Sequence, residues 1–281
     1  MKITPCGIRG TAVVADPAFM EYGGDTTCFL VEGQGGELVQ VDAGSGVRGV
    51  NARLRNHAGE RTLLLLMTHY HLDHLLGFPW LAILHDSHWS LEIAAPAHEG
   101  FTPADVMPRI LAAPLWPVHM SDVKAAVRFT TLADAWSLSG RAQGGLSIRG
   151  CSLHHSGGCT AYRFDEAETG ASAVIATDFE WDESTLEEKQ ALLRLCAAPR
   201  PADVLFLDGQ FAPADYGRCR GWGHSRWSDA AEIARQAGVP RLRVIHHAPG
   251  SRDAKLRGIE NELRRAAPGA ELARQGVGIG I

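Results

Sequence analysis

The feature that most constrains this chain is an apolar strand that leads directly into a cluster of histidines. Residues 63–67 form the longest obvious apolar run, and the motif His69-x-His71-x-Asp73-His74 follows it. Side chains two positions apart on an extended chain project to the same side, so His69 and His71 can bind one cation. The chain then turns into a predicted helix, which lets Asp73 and His74 face a second cation. Imidazole and carboxylate are the ligands that borderline divalent metals such as zinc prefer.

Three later apolar segments also end in residues that bind metals. These candidates are His154 or His155 after residues 146–153, Asp178 after residues 173–176, and His246 or His247 after residues 242–245. Each of them alone is typical of an ordinary turn that leaves a strand. Together with the first motif they predict ligands on loops at one edge of a sheet sandwich.

Short apolar strands alternate with helical stretches along the chain. Strands are predicted at residues 28–32, 37–41, 61–68, 89–94, 126–131, 146–153, 160–164, 173–176, 204–207 and 242–245. Helices are predicted at residues 46–56, 74–84, 183–197, 228–237 and 253–266. This order predicts an α/β fold with sheet packed on sheet and helices outside, a four-layered αββα sandwich. The glycines at 33–36 and 144–145 indicate hairpin turns, so we expect a single domain over residues 1–281.

Composition restricts the compartment and the partners. The chain has 27 basic and 32 acidic residues, a net charge of −5, which disfavours nucleic acid as a partner. No apolar run approaches the roughly 18 residues of a membrane span, and the first residues lack the apolar segment of a signal peptide. The six cysteines form no CxxC pair. We therefore expect a cytoplasmic globular protein with reduced cysteines, and both a monomer and a homodimer are compatible with the sequence.

The histidine motif and the later His, Asp and His resemble the metallo-β-lactamase superfamily, over most of the chain. More narrowly, the chain resembles the branch that contains ribonuclease Z and the cyclic-phosphate phosphodiesterases. The matching segments are residues 7–10 (GIRG), 22–28 (YGGDTTC), 41–46 (VDAGSG) and 221–225 (GWGHS). The chain departs from that branch at Asp25, Ser156 and Cys159, where the branch usually has Asn, Pro and Thr. Asp25 adds a carboxylate near a site that is expected to bind an anion.

The resemblance implies two metal ions, zinc first and manganese or iron as alternatives. The implied ligands of the first ion are His69, His71, His155 and Asp178, and those of the second are Asp73, His74, Asp178 and His246. Asp178 bridges the two ions. His155 is chosen over His154 because the family's histidine directly precedes the glycine turn, and His246 over His247 because the family's ligand comes first after the strand.

The implied reaction is hydrolysis of a small or cyclic phosphodiester. Two bound ions would supply and activate a hydroxide for attack on phosphorus, Asp73 would bind metal and orient that nucleophile, and His224 would protonate the leaving group. Asp42 and Asp208 are expected to fix imidazole rings rather than to bind metal. The partner is then a small anionic substrate.

Other functions are compatible with the same ligands. A lactonase, a thioesterase or another ester hydrolase could use this metal core, and a binding or sensing module could keep the fold without turnover. An aromatic and proline-rich insert at about 99–125 lies between the two predicted sheets and is expected to shape the pocket. Trp80, Trp116 and His119 are candidate pocket walls.

Overall fold

The computed structural model describes residues 1–133, 137–138 and 145–281. Its strands are β1 Lys2–Gly7, β2 Cys28–Glu32, β3 Leu38–Val41, β4 Thr62–Leu66, β5 Ser90–Pro96, β6 Ala126–Leu132, β7 Ser137–Leu138, β8 Leu146–Leu153, β9 Cys159–Glu166, β10 Ser172–Ala176, β11 Val204–Asp208, β12 Leu242–Ile245, β13 Ala270–Leu272 and β14 Ile279–Gly280. Its α-helices are α1 Val47–Leu54, α2 Pro103–Ile110, α3 Leu186–Ala197, α4 Pro213–Tyr216, α5 Trp227–Ala237 and α6 Asp253–Ala266. Short 3-10 helices occupy Pro17–Phe19, Leu72–His74, Phe78–Trp80, Ala82–His85 and Met120–Asp122. Residues 33–36 connect the antiparallel strands β2 and β3, as predicted, whereas Gly144 of the other predicted turn lies outside the described residues.

The strands form two seven-stranded sheets that pack face to face. Their orders are β14-β1-β2-β3-β4-β5-β6 and β13-β12-β11-β10-β9-β8-β7. Apolar side chains of both inner faces form a common core, in which the rings of Phe29 and Phe206 meet edge to face at 5.4 Å. The outer face of the first sheet is covered by α1 and α2, and that of the second sheet by α3, α5 and α6. The predicted four-layered αββα sandwich is confirmed.

Strand direction brings the candidate ligands to one edge of the sandwich. Strands β3 to β6 run parallel in the first sheet, and β10 to β13 run parallel in the second. The carboxyl ends of parallel strands share one edge of a sheet, and the loops that leave β4, β10 and β12 carry the candidate ligands. A cavity of about 560 Å³ opens at the opposite ends of the strands, where Leu38, Ser90 and Ala126 line it, so it is separate from those loops.

Two expectations about the first half of the chain are wrong. The helix predicted over residues 74–84 is replaced by the separate turns Phe78–Trp80 and Ala82–His85. Pro79 cannot donate a backbone hydrogen bond, and any side chain at Gly77 would overlap the Gly44 carbonyl oxygen. The insert at 99–125 connects β5 to β6 of the same sheet, so it does not lie between the two sheets.

Over the described ranges, none of the helices has both the length and the apolar character required to cross a bilayer.

Candidate metal centre

The loop after β4 turns four candidate ligands toward the same edge. His69 is buried directly beyond the strand, whereas His71 is exposed at the mouth of the site. The 3-10 helix Leu72–His74 then directs the side chains of Asp73 and His74 inward, where both are buried. The two pairs therefore face different positions, as the alternation of the motif predicts.

The first group of potential ligand atoms comes from His69, His71, His155 and Asp178, all within 4.8 Å of one another. His155 Nε2 lies 3.0 Å from His71 Nδ1. Asp178 Oδ2 lies 3.7 Å from His69 Nε2 and 3.7 Å from His155 Nε2. This group contains the residues that the resemblance implies for the first ion.

The second group contains Asp73, His74, Asp178 and His246, again within 4.8 Å. Asp178 Oδ1 lies 3.3 Å from His74 Nε2 and 3.2 Å from His246 Nε2. Asp73 Oδ2 lies 3.4 Å and 3.6 Å from the same two nitrogens. The two oxygens of Asp178 therefore face the two groups separately, which is the arrangement that a bridging carboxylate requires.

The donor atoms fit a pair of divalent cations. Among the buried side-chain atoms of the described residues that lack a hydrogen-bond partner, four belong to the two groups: His69 Nε2, His74 Nε2, Asp178 Oδ1 and His246 Nε2. An orphaned buried polar atom costs roughly 1–3 kcal/mol, so four that converge on one place indicate a missing partner. Ligands at 2.0–2.2 Å around a tetrahedral zinc are separated by about 3.3–3.6 Å. The carboxylate–imidazole separations of 3.2–3.7 Å are close to that range.

Each buried imidazole is oriented by a hydrogen bond at its other nitrogen. His74 Nδ1 pairs with Asp42 Oδ2 at 2.7 Å, as predicted for Asp42. His155 Nδ1 pairs with the carbonyl oxygen of Gly223 at 2.8 Å. His246 Nδ1 pairs with Gln210 Oε1 at 2.7 Å. Such partners fix the tautomer and leave Nε2 free for a cation. The contacts of Gly223 and Gln210 were not predicted from the sequence.

Electrostatics favour neutral His69 and His155 in the first group, an ionised Asp178 between the groups and a protonated His74 in the second. Burial lowers the pKa of His69 well below its usual range and that of His155 to about 4, so both offer a lone pair. Burial raises the pKa of Asp178, but the imidazoles around it outweigh that effect and hold the pKa well below its usual range. Burial opposes a charge on His74, yet three neighbouring carboxylates raise its pKa well above the usual range. A cation that binds here therefore displaces a proton from His74.

The structure distinguishes the members of the two His-His pairs. His154 is half-exposed, and its Nδ1 lies 3.6 Å from Glu188 Oε2, away from the cluster that contains His155. His247 donates from Nε2 to the carbonyl oxygen of Ala273 at 2.9 Å, and burial lowers its pKa to about 3. The backbone of His246 has a φ of 61°, an unusual left-handed conformation for a histidine. That conformation places the His246 ring in the cluster and the His247 ring in the core.

His224 lies beside both groups. Its ring centroid is 5.2 Å from that of His155 and 4.7 Å from that of His246. Its Nδ1 pairs with Asp208 Oδ2 at 2.8 Å, the contact predicted for Asp208. Burial opposes a charge on the ring, but Asp208 raises the pKa of His224 to about 9. The Asp208 carboxylate therefore favours the protonated form of a ring that stacks beside the cluster.

Other contacts around the site were not predicted. The backbone N–H of Thr11 donates to Asp73 Oδ2 at 2.8 Å and fixes that carboxylate. A Cβ at Gly10 would lie 2.5 Å from the His246 ring, so only glycine allows this close approach. The carboxylate of Asp25 is already bound, because Ser45 and Arg48 both donate to it at 2.9 Å.

The candidate pocket walls differ in their surroundings. Trp80 is 62% exposed, whereas Trp116 is half-buried against the core below the first sheet. His119 precedes the 3-10 helix Met120–Asp122, and its backbone N–H donates to Asp122 at 3.3 Å. Trp116 and His119 are thus engaged in local structure.

Comparison with known proteins identifies the class. A two-sheet sandwich with a His/Asp cluster at one edge is typical of metal-dependent hydrolases, and residues 38–247 match the beta-lactamase superfamily domain. The chain therefore belongs to the metallo-β-lactamase superfamily, as its resemblance predicted. Over 83 residues it is 42% identical to the ribonuclease Z of Gemmatimonas aurantiaca, which covers 30% of this chain and 26% of that protein. The chain thus spans about a quarter of the length of that curated relative.

Solved structures confirm the fold. The metallo-beta-lactamase fold protein YhfI from Bacillus subtilis superposes with a TM-score of 0.72 at 19% identity, covering 99% of this chain and 98% of that one. The short form of human tRNase Z superposes with a TM-score of 0.69 at 18% identity, covering 100% of this chain and 99% of that one. At identities this low, the two superpositions show that the chain shares the fold of these proteins.

Proposed function

We propose that this protein is a metal-dependent hydrolase that cleaves a small or cyclic phosphodiester at a dinuclear centre. The observation that carries the proposal is the position of Asp178, whose two oxygens face two separate groups of ligand atoms. The partial match to a ribonuclease Z supports a phosphodiester as the scissile group. We propose a small diester rather than a nucleic acid, because the chain has a net charge of −5 and would repel a polyanion.

The proposed ligands are those of the two groups. His69, His71, His155 and Asp178 would hold the first ion, and Asp73, His74, Asp178 and His246 the second. We propose zinc, because nitrogen and carboxylate oxygen donors at these separations suit it, and manganese or iron accept the same set. When bound, two such ions lower the pKa of a water molecule and polarise a phosphoryl oxygen.

The chain's own residues would control the proton and the nucleophile. Thr11 fixes Asp73 Oδ2, so this carboxylate can orient the attacking water as well as bind metal. Asp208 holds Nδ1 of His224, which leaves the Nε2 proton for the oxygen that departs from phosphorus. Asp208 also balances the positive charge of His224 before that transfer. These roles make Asp73 and His224 the proposed catalytic residues.

The test is hydrolysis of bis(p-nitrophenyl) phosphate by the zinc-loaded protein, compared with p-nitrophenyl acetate and a simple lactone. We expect turnover of the diester to exceed that of either carboxylic ester. His224→Ala should lower kcat by about 10²-fold while the metal content holds, because general acid catalysis is worth roughly that much. His88→Ala is the matched control, since His88 also pairs with an aspartate, Asp86, at 2.8 Å but is exposed. Metal-loaded protein that hydrolyses the lactone and not the diester would contradict the proposed substrate class.

A further inference from the structure

Trp222 stands two residues before His224 in the chain, and 63% of its surface is exposed. It directly precedes Gly223, whose carbonyl oxygen accepts the hydrogen bond from Nδ1 of His155. The buried ring of Phe211 lies between two other rings, with its centroid 6.3 Å from that of Trp222 and 6.0 Å from that of His224. The indole is therefore linked to the proposed catalytic histidine by one intervening aromatic ring.

The loop that carries Trp222 is held rigidly on both sides. Glu180 is 1% exposed, and its carboxylate accepts the backbone N–H of Gly221 at 2.7 Å and that of Gly223 at 2.8 Å. Tyr216 donates its hydroxyl to the same carboxylate at 2.6 Å. Gly221 and Gly223 have φ values of 82° and 83°, a left-handed conformation that glycine adopts without strain. The exposure of Trp222 is therefore a property of a fixed loop.

A second exposed apolar side chain belongs to the metal-binding motif itself. Leu72 stands between His71 and Asp73 and is 67% exposed. Large apolar side chains left in water beside a proposed site for an anion indicate a substrate with an apolar part next to its phosphate. The flat indole of Trp222 further favours a flat ring, because aromatic side chains stack on planar π systems.

We propose that Trp222 is a specificity-determining residue that stacks on the nucleobase of a nucleoside phosphodiester. The inference rests on the proposed function, which places the phosphate at the cluster of His155 and Asp178. Stacking between an aromatic side chain and a base tolerates any base, because every base has a π face. A substrate of this kind is a small nucleotide diester, with its phosphate at the metals and its base on Trp222.

Binding to the zinc-loaded protein tests the inference without turnover. Titration calorimetry with thymidine 5′-monophosphate and with methyl phosphate should show tighter binding of the nucleotide by about 5- to 150-fold, the effect of one stacked base. Trp222→Ala should abolish this preference, and Trp222→Phe should retain most of it. Leu186→Ala is the control for loss of an exposed apolar side chain, since Leu186 is 71% exposed at the start of α3.

Equal affinity of the wild type for the two phosphates would overturn the inference. An equal loss of both affinities in Trp222→Ala would also overturn it, because Trp222 would then only support the loop. In kinetics, Trp222→Ala should lower kcat/KM for thymidine 5′-(p-nitrophenyl phosphate) by a larger factor than kcat/KM for methyl p-nitrophenyl phosphate, because the two esters share the p-nitrophenyl ring and differ only in the nucleoside. If the loaded wild type hydrolyses neither ester, the proposed function fails, and the calorimetric preference alone decides whether Trp222 binds a base.

Discussion

Replacing Asp42 by Asn tests whether an imidazole of the second metal group depends on its partner. The carboxylate of Asp42 is fully buried and accepts three hydrogen bonds of 2.7 Å, from the backbone N–H and the hydroxyl of Thr68 and from Nδ1 of His74. Asn preserves the volume and tolerates the φ of 58° at this position. The amide nitrogen should take the Oδ2 position, because the Thr68 hydroxyl there can turn to accept, whereas the backbone N–H of Thr68 at Oδ1 can only donate. Nδ1 of His74 then loses its acceptor, at a cost of about 1–3 kcal/mol.

The expected result is a selective loss at the second group. When the amide faces His74, Nδ1 of the ring loses the acceptor that fixes its orientation, so zinc affinity of this group should fall by about 10- to 100-fold. Affinity of the group that contains His69 should stay within about threefold. Competition with a chromophoric chelator resolves the two affinities.

A matched control separates this effect from the loss of any aspartate. Asp86 also pairs with a histidine nitrogen, Nδ1 of His88 at 2.8 Å, but both side chains are exposed. Asp86→Asn should therefore leave both zinc affinities unchanged. The reasoning is refuted if Asp42→Asn binds two zinc ions as tightly as the wild type does.

Two further perturbations concern other parts of the chain. In elemental analysis, His246→Gln should retain about one zinc ion per chain, whereas His247→Gln should retain about two. The reason is that only the His246 ring of this pair faces the ligand cluster. Equal metal content in the two variants would contradict the assignment. Glu260 is 4% exposed and accepts hydrogen bonds from Tyr22 at 2.9 Å and Arg274 at 2.8 Å, so Glu260→Gln should lower the free energy of unfolding at pH 7 by about 1.5–3 kcal/mol. Burial raises the pKa of Glu260, but Arg274 and Tyr22 hold it below the usual 4.5 in the folded state, so this stability is present above pH 4.5 and is lost as pH falls through the folded pKa. Denaturant unfolding should show the two proteins converging in acid, and a difference that does not change with pH would exclude this origin.

Strands and helices could be predicted from the sequence where the spacing of apolar residues within the segment matches the face that is buried in the fold. The predicted bounds of β2, β8, β12 and α6 coincide with the observed ones, because the spacing of their apolar residues marks the buried face, which in α6 also contains Glu260. The strand β1 was not predicted, because Pro5 and polar Thr4 interrupt the apolar pattern of a strand. Its extended conformation is stabilised by pairing with β2 and β14, which the local sequence does not indicate. The helix α2 was also missed, although Thr102 and Asp105 form a capping box around Pro103 that could have indicated its start.

The residues of the candidate site could be predicted because they follow strands in a fixed order, whereas their partners could not. The contacts of Gln210 with His246, Glu180 with Gly221 and His155 with Gly223 join residues 36, 41 and 68 positions apart. No local pattern marks such pairs. The helix predicted after His74 failed for a related reason, since close packing of Gly77 on Gly44 decides the backbone there.

The most direct test of the central claim is the metal content of the wild type and of Asp178→Ala, measured by elemental analysis after purification without chelator and dialysis. A bridging Asp178 predicts about two divalent ions per wild-type chain and loss of the pair in the variant, because the carboxylate belongs to both groups. Circular dichroism of both proteins checks that the variant is folded. A wild type without tightly bound metal, or a folded variant that retains two ions, would contradict the account.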